Sequence, residues 1–151
     1  MATYYRIVQA EWARNAMTGE GAWLHGGRWN PPGLHAVYLA ESRALAALEI
    51  IVHAPREVMS VDWRIIEVEV PGELIQSASI ADLPAGWQNL PSSLTAQNFG
   101  AAWLRARKAL ALKLPSVIIP KEHTLMLNPR HADVVKLVVS KPRKFELDSR
   151  F

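Results

Sequence analysis

"HAVYLAESRALAALEIIVHA", residues 35–54, decides what kind of fold this chain makes. Its first six residues form a short apolar run of the kind that fills a buried strand. The remainder, ESRALAALEIIVHA, reads as a helix, with Glu41 or Ser42 near its start and Pro55 just past its end. Working outward, YYRIVQA (4–10) predicts a strand with Tyr5, Ile7 and Gln9 on one side and Arg6 on the other. DWRIIEVEV (62–70) alternates cleanly as a second strand, which PGE turns. GEGAWLHGGRWNPPG (19–33) is a glycine- and proline-punctuated segment around a short extended piece near Arg28.

Beyond the second strand, residues 74–93 read as a loop with at most one short element. AQNFGAAWLRARKALALKL (96–114) predicts a helix whose stripe runs through Phe99, Trp103, Ala106 and Leu110. PSVIIP (115–120), TLMLNP (124–129) and VVKLVVS (134–140) predict three further strands. Strands at both ends with helices between them imply an α+β class. The expectation is one compact domain over residues 1–151, a small mixed or antiparallel sheet with flanking helices.

Half of the 151 residues are hydrophobic and 21% are charged, a globular composition rather than a disordered one. No apolar run approaches the ~18 residues a membrane span needs. MATYYRIVQAEW lacks the basic-then-apolar order of a secretory signal, so none is expected. With no cysteine there is no disulfide framework and no thiolate zinc site, and a reducing cytoplasm fits. The five histidines show no HExxH spacing, so no metal is expected. GxGxxG and GxxxxGK[ST] do not occur either. The net charge of +3 is uneven: residues 1–100 hold 6 Lys and Arg against 10 Asp and Glu, residues 101–151 hold 11 against 4. That basic third suits an anionic partner or is simply a solvated surface. No nucleic-acid-binding signature accompanies it.

Glu49 is the only acidic group between Ala44 and Ala54, and its helical neighbours are largely apolar. A carboxylate there needs a partner, because burying it alone costs several kcal/mol, roughly. A structural ion pair and a pocket-lining role both satisfy that demand. Arg28, in HGGRWNPPG, is a candidate partner: its guanidinium can fork onto a carboxylate or a phosphate, or serve as a loop cation. Tyr38 reads as a core tyrosine or as a ring stacked on a heterocycle. Ser116 has no GxSxG elbow, so it is a ligand-contacting hydroxyl or a strand-start serine satisfying backbone.

Together YYRIV, TGEGAWLHGGRWNPPG, AVYLAESRALAALEIIVH, NFGAAWL and LKLPSVIIPKEHTLMLNPRHADV resemble the RES-domain toxins of bacterial toxin–antitoxin pairs. The most specific parts are GGRWNPPG, the tyrosine ten residues after its arginine, and the glutamate eleven further on. The family's namesake arginine, glutamate and serine fall on Arg28, Glu49 and Ser116, and its tyrosine on Tyr38. The resemblance implies a fold similar to ADP-ribosyltransferase toxins and an activity that destroys NAD⁺ as substrate, without a cofactor. The nicotinamide–ribose bond is cleaved, with phosphate or water as acceptor; some members are assigned protein ADP-ribosylation instead. Arg28, Tyr38, Glu49 and Ser116 are then the catalytic set, with Glu49 kept ionised by Arg28. Arg6, Gly27, Trp29, Asn30 and Thr124 hold the dinucleotide. Thr124 and Leu125 depart from the family's E-x-N-Y-L-x-N-P, reading EHTLMLNP here. The implied partner is an Xre-type helix-turn-helix antitoxin, which makes the DNA contact. More than one toxin copy in the complex is also implied.

Overall fold

The computed structural model describes residues 1–89 and 94–151. Among them, eight strands form one sheet. β1 (Ala2–Gln9) pairs along its whole length with β3 (Trp63–Val70), from Ala2 opposite Val70 to Gln9 opposite Trp63. On its other side β1 meets β2 (Val37–Ala40) at the single register pair Tyr5–Ala40. β2 pairs with β6 (His123–Leu127), and β6 with β5 (Ala111–Pro115). β4 (Ile75–Ser77) lies beside β5 as the one parallel partner among the described strands. β7 (Val138–Val139) and β8 (Arg143–Phe145) share the outer edge of β3. The sheet is mixed and helices flank it, the α+β class expected.

Its central strands are covered on both faces, which explains why their sequences run apolar instead of alternating with polar residues. Val37 and Leu39 of β2 join Leu125, Leu127, Val68 and Ile66 in one core. The opposite face carries Tyr38 and Ala40, two residues apart and therefore side by side. Over that second face lie two helices. α2 (Arg43–His53) packs Leu45 and Ala46 onto Ile7, Ala40, Trp63 and Ile65. α3 (Leu94–Ala106) packs Ala96 and Leu104 onto Leu112, Leu114 and Met126. The two helices share one face of the sheet and leave a gap over β2.

Several sequence expectations are corrected. The helix predicted over 96–114 stops at Ala106, because Arg107 turns left-handed at φ 51°. The next stretch, Leu110-Ala-Leu-Lys-Leu114, has period two and enters the sheet, so the strand is β5 and not PSVIIP. The buried positions of α3 are Ala96, Gly100, Ala101 and Leu104, with Phe99 and Trp103 only partly covered beside them. VVKLVVS divides into a 3₁₀ turn (Ala132–Lys136) and the two residues of β7. The 74–93 loop holds β4 and a 3₁₀ turn at Ile80–Asp82; its residues 90–93 lie outside the described set. Arg28 is not in an extended piece. A short helix, α1 (Glu20–His25), precedes it, and Gly27 to Asn30 close a tight turn.

Gly100 lets α3 settle directly on that turn. A Cβ on Gly100 would stand 1.7 Å from the Trp29 carbonyl oxygen and 2.6 Å from its carbon. Neither is a side-chain tip that can swing away. Gly100→Ala therefore has to lift the helix or the turn. The expected cost reaches or passes the upper end of the ~1–3 kcal/mol typical of overpacking, read as a lowered urea midpoint with an unchanged slope.

Candidate functional site

The gap between α2 and α3 is a cavity of about 820 Å³, within the size range of small-molecule sites. Arg6, Gly27, Arg28, Trp29, Tyr38, Glu49 and Thr124, all singled out in the sequence, line it. They arrive from β1, the Gly27–Asn30 turn, β2, α2 and β6. Residues far apart in the chain therefore converge on one space.

The turn that carries Arg28 is held from inside. Asn30 is fully buried, and its side-chain amide donates to the carbonyls of Ala22 (3.0 Å), Pro31 (2.9 Å) and Leu34 (3.2 Å). Its Oδ1 accepts from the Tyr38 hydroxyl at 2.6 Å, and that hydroxyl accepts from the Trp29 N–H at 3.2 Å. Gly27 N–H closes the turn onto the Asn30 carbonyl at 2.9 Å. Gly27 has no room for a side chain: a Cβ would meet Asn30 Oδ1 at 2.8 Å and the Tyr38 ring at 2.9 Å. Trp29 is buried between Trp87, stacked at 5.9 Å, and Phe99, edge-on at 5.9 Å. From α3, Gln97 donates to the Gly27 carbonyl at 3.2 Å. With its two neighbours so fixed, Arg28 is thrown towards the cavity.

Arg28 anchors one nitrogen, Nη1, on the Asn89 carbonyl at 2.6 Å and more loosely on that of Trp87 at 3.4 Å. Desolvation lowers its pKa, against the opposing pull of Glu49 and Tyr38. Arg28 and Glu49 thus feel each other across the cavity, but they form no ion pair. The expected contact pair is corrected: the partner of Glu49 is His53, one helical turn on, with Nε2 3.6 Å from the carboxylate. The Glu49 side chain keeps 31% of its exposure, so it stands at the cavity rim. The adjacent Glu49 carboxylate raises the His53 pKa, while desolvation and Arg28 oppose the rise.

Arg6 is the inner cation. It donates from Nη1 to the Tyr38 carbonyl at 3.0 Å, where β1 and β2 have parted after their single register pair. Its Nε is buried without a hydrogen-bond partner. Burial pulls its pKa down to about 10. Tyr38 is pushed well above the ordinary tyrosine range, mainly by burial, so its phenol stays protonated and free to donate to Asn30.

Two predicted residues do not reach the cavity. Asn30 spends its whole side chain on the turn. Ser116 is buried at 1% exposure, and its Oγ accepts from the N–H groups of Ile118 and Ile119, holding the bend after β5. Its neighbours Pro115 and Val117 form the wall instead. The Ser116 hydroxyl is spent on the backbone, and the Asn30 amide on the backbone and the Tyr38 hydroxyl. Sequence reasoning missed His53, whose signal was its four-residue spacing from Glu49. It also missed Gln97 and the carbonyls of Trp87 and Asn89, which nothing local announces.

A RES domain family model matches residues 3–148. The Prs ADP-ribosylating toxin of Sphingobium sp. (strain YBL2) is 39% identical over 99% of this chain and 92% of its own. Toxin Res of Yersinia enterocolitica is 35% identical over 97% of each chain. A 49-residue stretch is 49% identical to the NAD(+) phosphorylase MbcT of Mycobacterium tuberculosis, covering 32% of this chain and 25% of that one. The crystal structure of the M. tuberculosis MbcT–MbcA toxin–antitoxin complex superposes with a TM-score of 0.80 at 22% identity, over 96% of this chain and 84% of that one. With the family model spanning nearly the whole chain, and relatives this similar along their length, the chain belongs to the RES-domain family.

Proposed function

We propose that this chain is a toxin that destroys NAD⁺ by breaking the bond between nicotinamide and ribose, with phosphate as the acceptor. The observation that carries the reading is the cavity itself, where two arginines and one carboxylate converge on a mostly apolar space. The pyrophosphate of a dinucleotide needs fixed cations. Arg6 and Arg28 supply them. The names of the MbcT and Prs relatives, an NAD(+) phosphorylase and an ADP-ribosylating toxin, point to the same bond.

Nicotinamide leaves as a neutral molecule, so no acid has to protonate it. What the reaction demands is stabilisation of an oxocarbenium-like ribose. Glu49, on the rim, places a carboxylate beside that developing charge and accepts from a ribose hydroxyl. Tyr38 offers its ring to the nicotinamide or ribose, while its hydroxyl remains committed to the turn. Thr124 and the backbone of the turn complete the wall. Ser116 keeps the bend beneath them in shape.

Protein ADP-ribosylation is the second reading, favoured by the name of the Sphingobium relative. It uses the same carboxylate and differs only in the acceptor. The solved MbcT–MbcA complex supports an antitoxin partner, which we take to be of the Xre type, with any DNA contact made by that partner and a second toxin copy in the assembly. None of the described helices is long and apolar enough to cross a membrane.

Purified protein incubated with NAD⁺ and phosphate, with no acceptor protein, is expected to release nicotinamide. Turnover that appears only when a protein acceptor is added would establish the second reading instead. Glu49→Gln and Arg28→Ala are each expected to lower the rate by roughly 10²–10³. Tyr38→Phe separates a chemical role from a structural one. It leaves the Trp29 N–H and Asn30 Oδ1 unmatched, at about 1–3 kcal/mol for each buried group. Its loss of thermal stability should therefore exceed that of Glu49→Gln.

A further inference from the structure

Apart from His25 at the end of α1, His53 is the one potentially cationic group on the cavity wall to which NAD⁺ cleavage itself assigns no task. It stands one turn beyond Glu49 on α2, 3.6 Å from that carboxylate, with 77% of its side chain open to solvent. Glu49 is therefore flanked on its solvent side by a group able to carry positive charge. Arg28 lines the same cavity from the Gly27–Asn30 turn. Two cationic groups that repel each other across a space open to solvent make a place where an anion relieves the strain between them.

An acceptor entering this cavity faces a specific difficulty. It must approach the ribose beside Glu49, which is an obstacle for an anion and none for water. We infer that His53, in its protonated form, is the acceptor-binding residue: it screens Glu49 and holds inorganic phosphate against the ribose. The inference rests on the reading of the chain as an NAD⁺-cleaving enzyme and names the residue that selects its acceptor.

The step balances without further reagents. A hydrogenphosphate oxygen forms a bond to C1 of the nicotinamide ribose as the C1–N bond breaks. The bonding pair leaves with nicotinamide, cancelling the pyridinium charge, and the phosphate keeps its own proton. No base is required. Water as acceptor has to lose a proton after attack, a task for a carboxylate or a neutral imidazole. A protonated His53 thus favours phosphate in two ways: it attracts the anion, and it is not available as a base for water.

Protonation is tunable at this position. Glu49 on the same helix raises the His53 pKa and Arg28 from the turn lowers it, with the rise prevailing. Arg6, Tyr5, His25 and Tyr38 are the other titratable groups lining this cavity. Phosphate capture is then fullest below the raised His53 pKa and declines as pH climbs through it.

The experiment measures the ratio of ADP-ribose 1-phosphate to free ADP-ribose made from NAD⁺ by the whole chain, across phosphate concentration and pH. Wild type, His53→Gln and His53→Lys are compared by product ratio, so a general loss of rate does not obscure the result. The expected outcome is a fall in the phosphorylated fraction of about 10- to 100-fold for His53→Gln, the range of one charged hydrogen bond. His53→Lys restores it and extends phosphate capture to higher pH. That extension also separates the titration of residue 53 from that of phosphate itself. If wild type releases nicotinamide but yields only ADP-ribose whatever the phosphate, or if Gln and Lys shift the ratio alike, the role of His53 is overturned while NAD⁺ cleavage stands. No nicotinamide release under any condition overturns both.

Discussion

The Asn30 side chain, sealed from solvent and bonded at both ends, is the interaction on which the site depends. A buried amide left half-satisfied would cost stability; here its nitrogen meets three carbonyls and its oxygen meets Tyr38. Because Tyr38 belongs to β2, the bond ties the turn to the centre of the sheet. Trp29 then fills the space under α3, and Gly100 lets the helix backbone come down on it. Sheet, turn and helix are locked to one another through two adjacent residues. Arg28 precedes that lock and takes its position from it. An arginine carries up to ~2 kcal/mol of rotamer entropy, and anchoring Nη1 on two carbonyls removes part of that cost before any ligand arrives.

Arg6 is the counterpart inside the sheet. A cation with an unmatched Nε is costly to bury, and its lowered pKa expresses that cost. It replaces a backbone bond where β1 and β2 diverge, so the same side chain repairs the sheet and opens the cavity floor. Glu49 is disposed differently. Left partly exposed beside a histidine, it avoids the penalty that a fully buried carboxylate would bear. The site is a graded one, with its most constrained charge at the bottom and its most adaptable pair at the mouth.

This arrangement explains what could be read from the sequence. The strand and helix in 35–54 were legible because apolar runs and a Ser42 cap are local signals; Ser42 Oγ does accept from the Leu45 N–H at 3.0 Å. β1 and β3 were each legible as strands, whereas their antiparallel pairing is seen only in the structure. β5 was not legible as a strand, since Arg105–Leu114 has the composition of a helix, and only the left-handed Arg107 separates the two. Asn30 and Ser116 were legible as polar residues in unusual places. A side chain that holds a turn uses the same donors as one that holds a ligand, so sequence alone does not distinguish them. Of the residues the resemblance to RES toxins singled out, Arg6, Gly27, Arg28, Trp29, Tyr38, Glu49 and Thr124 line one cavity, while Asn30 and Ser116 bond within the fold.

Charge shows the same division between what sequence totals suggest and what geometry uses. By charge alone, the basic C-terminal third suits an anionic partner. Yet the cavity's cationic and potentially cationic groups, Arg6, His25, Arg28 and His53, all come from the acidic portion of the chain, while residues 101–151 contribute Pro115, Val117, Ile118 and Thr124 to the lining. Those four are uncharged. At physiological salt, fields fade over about 8 Å, so surface lysines and arginines on other elements act weakly on a ligand already in the cavity. In the proposed function an anion is held there chiefly by Arg6 and Arg28, whose positions are fixed by the parting of β1 from β2 and by the Asn30 lock. The placement of charge in this cavity is therefore a property of its backbone geometry, and the net charge of the chain says little about it.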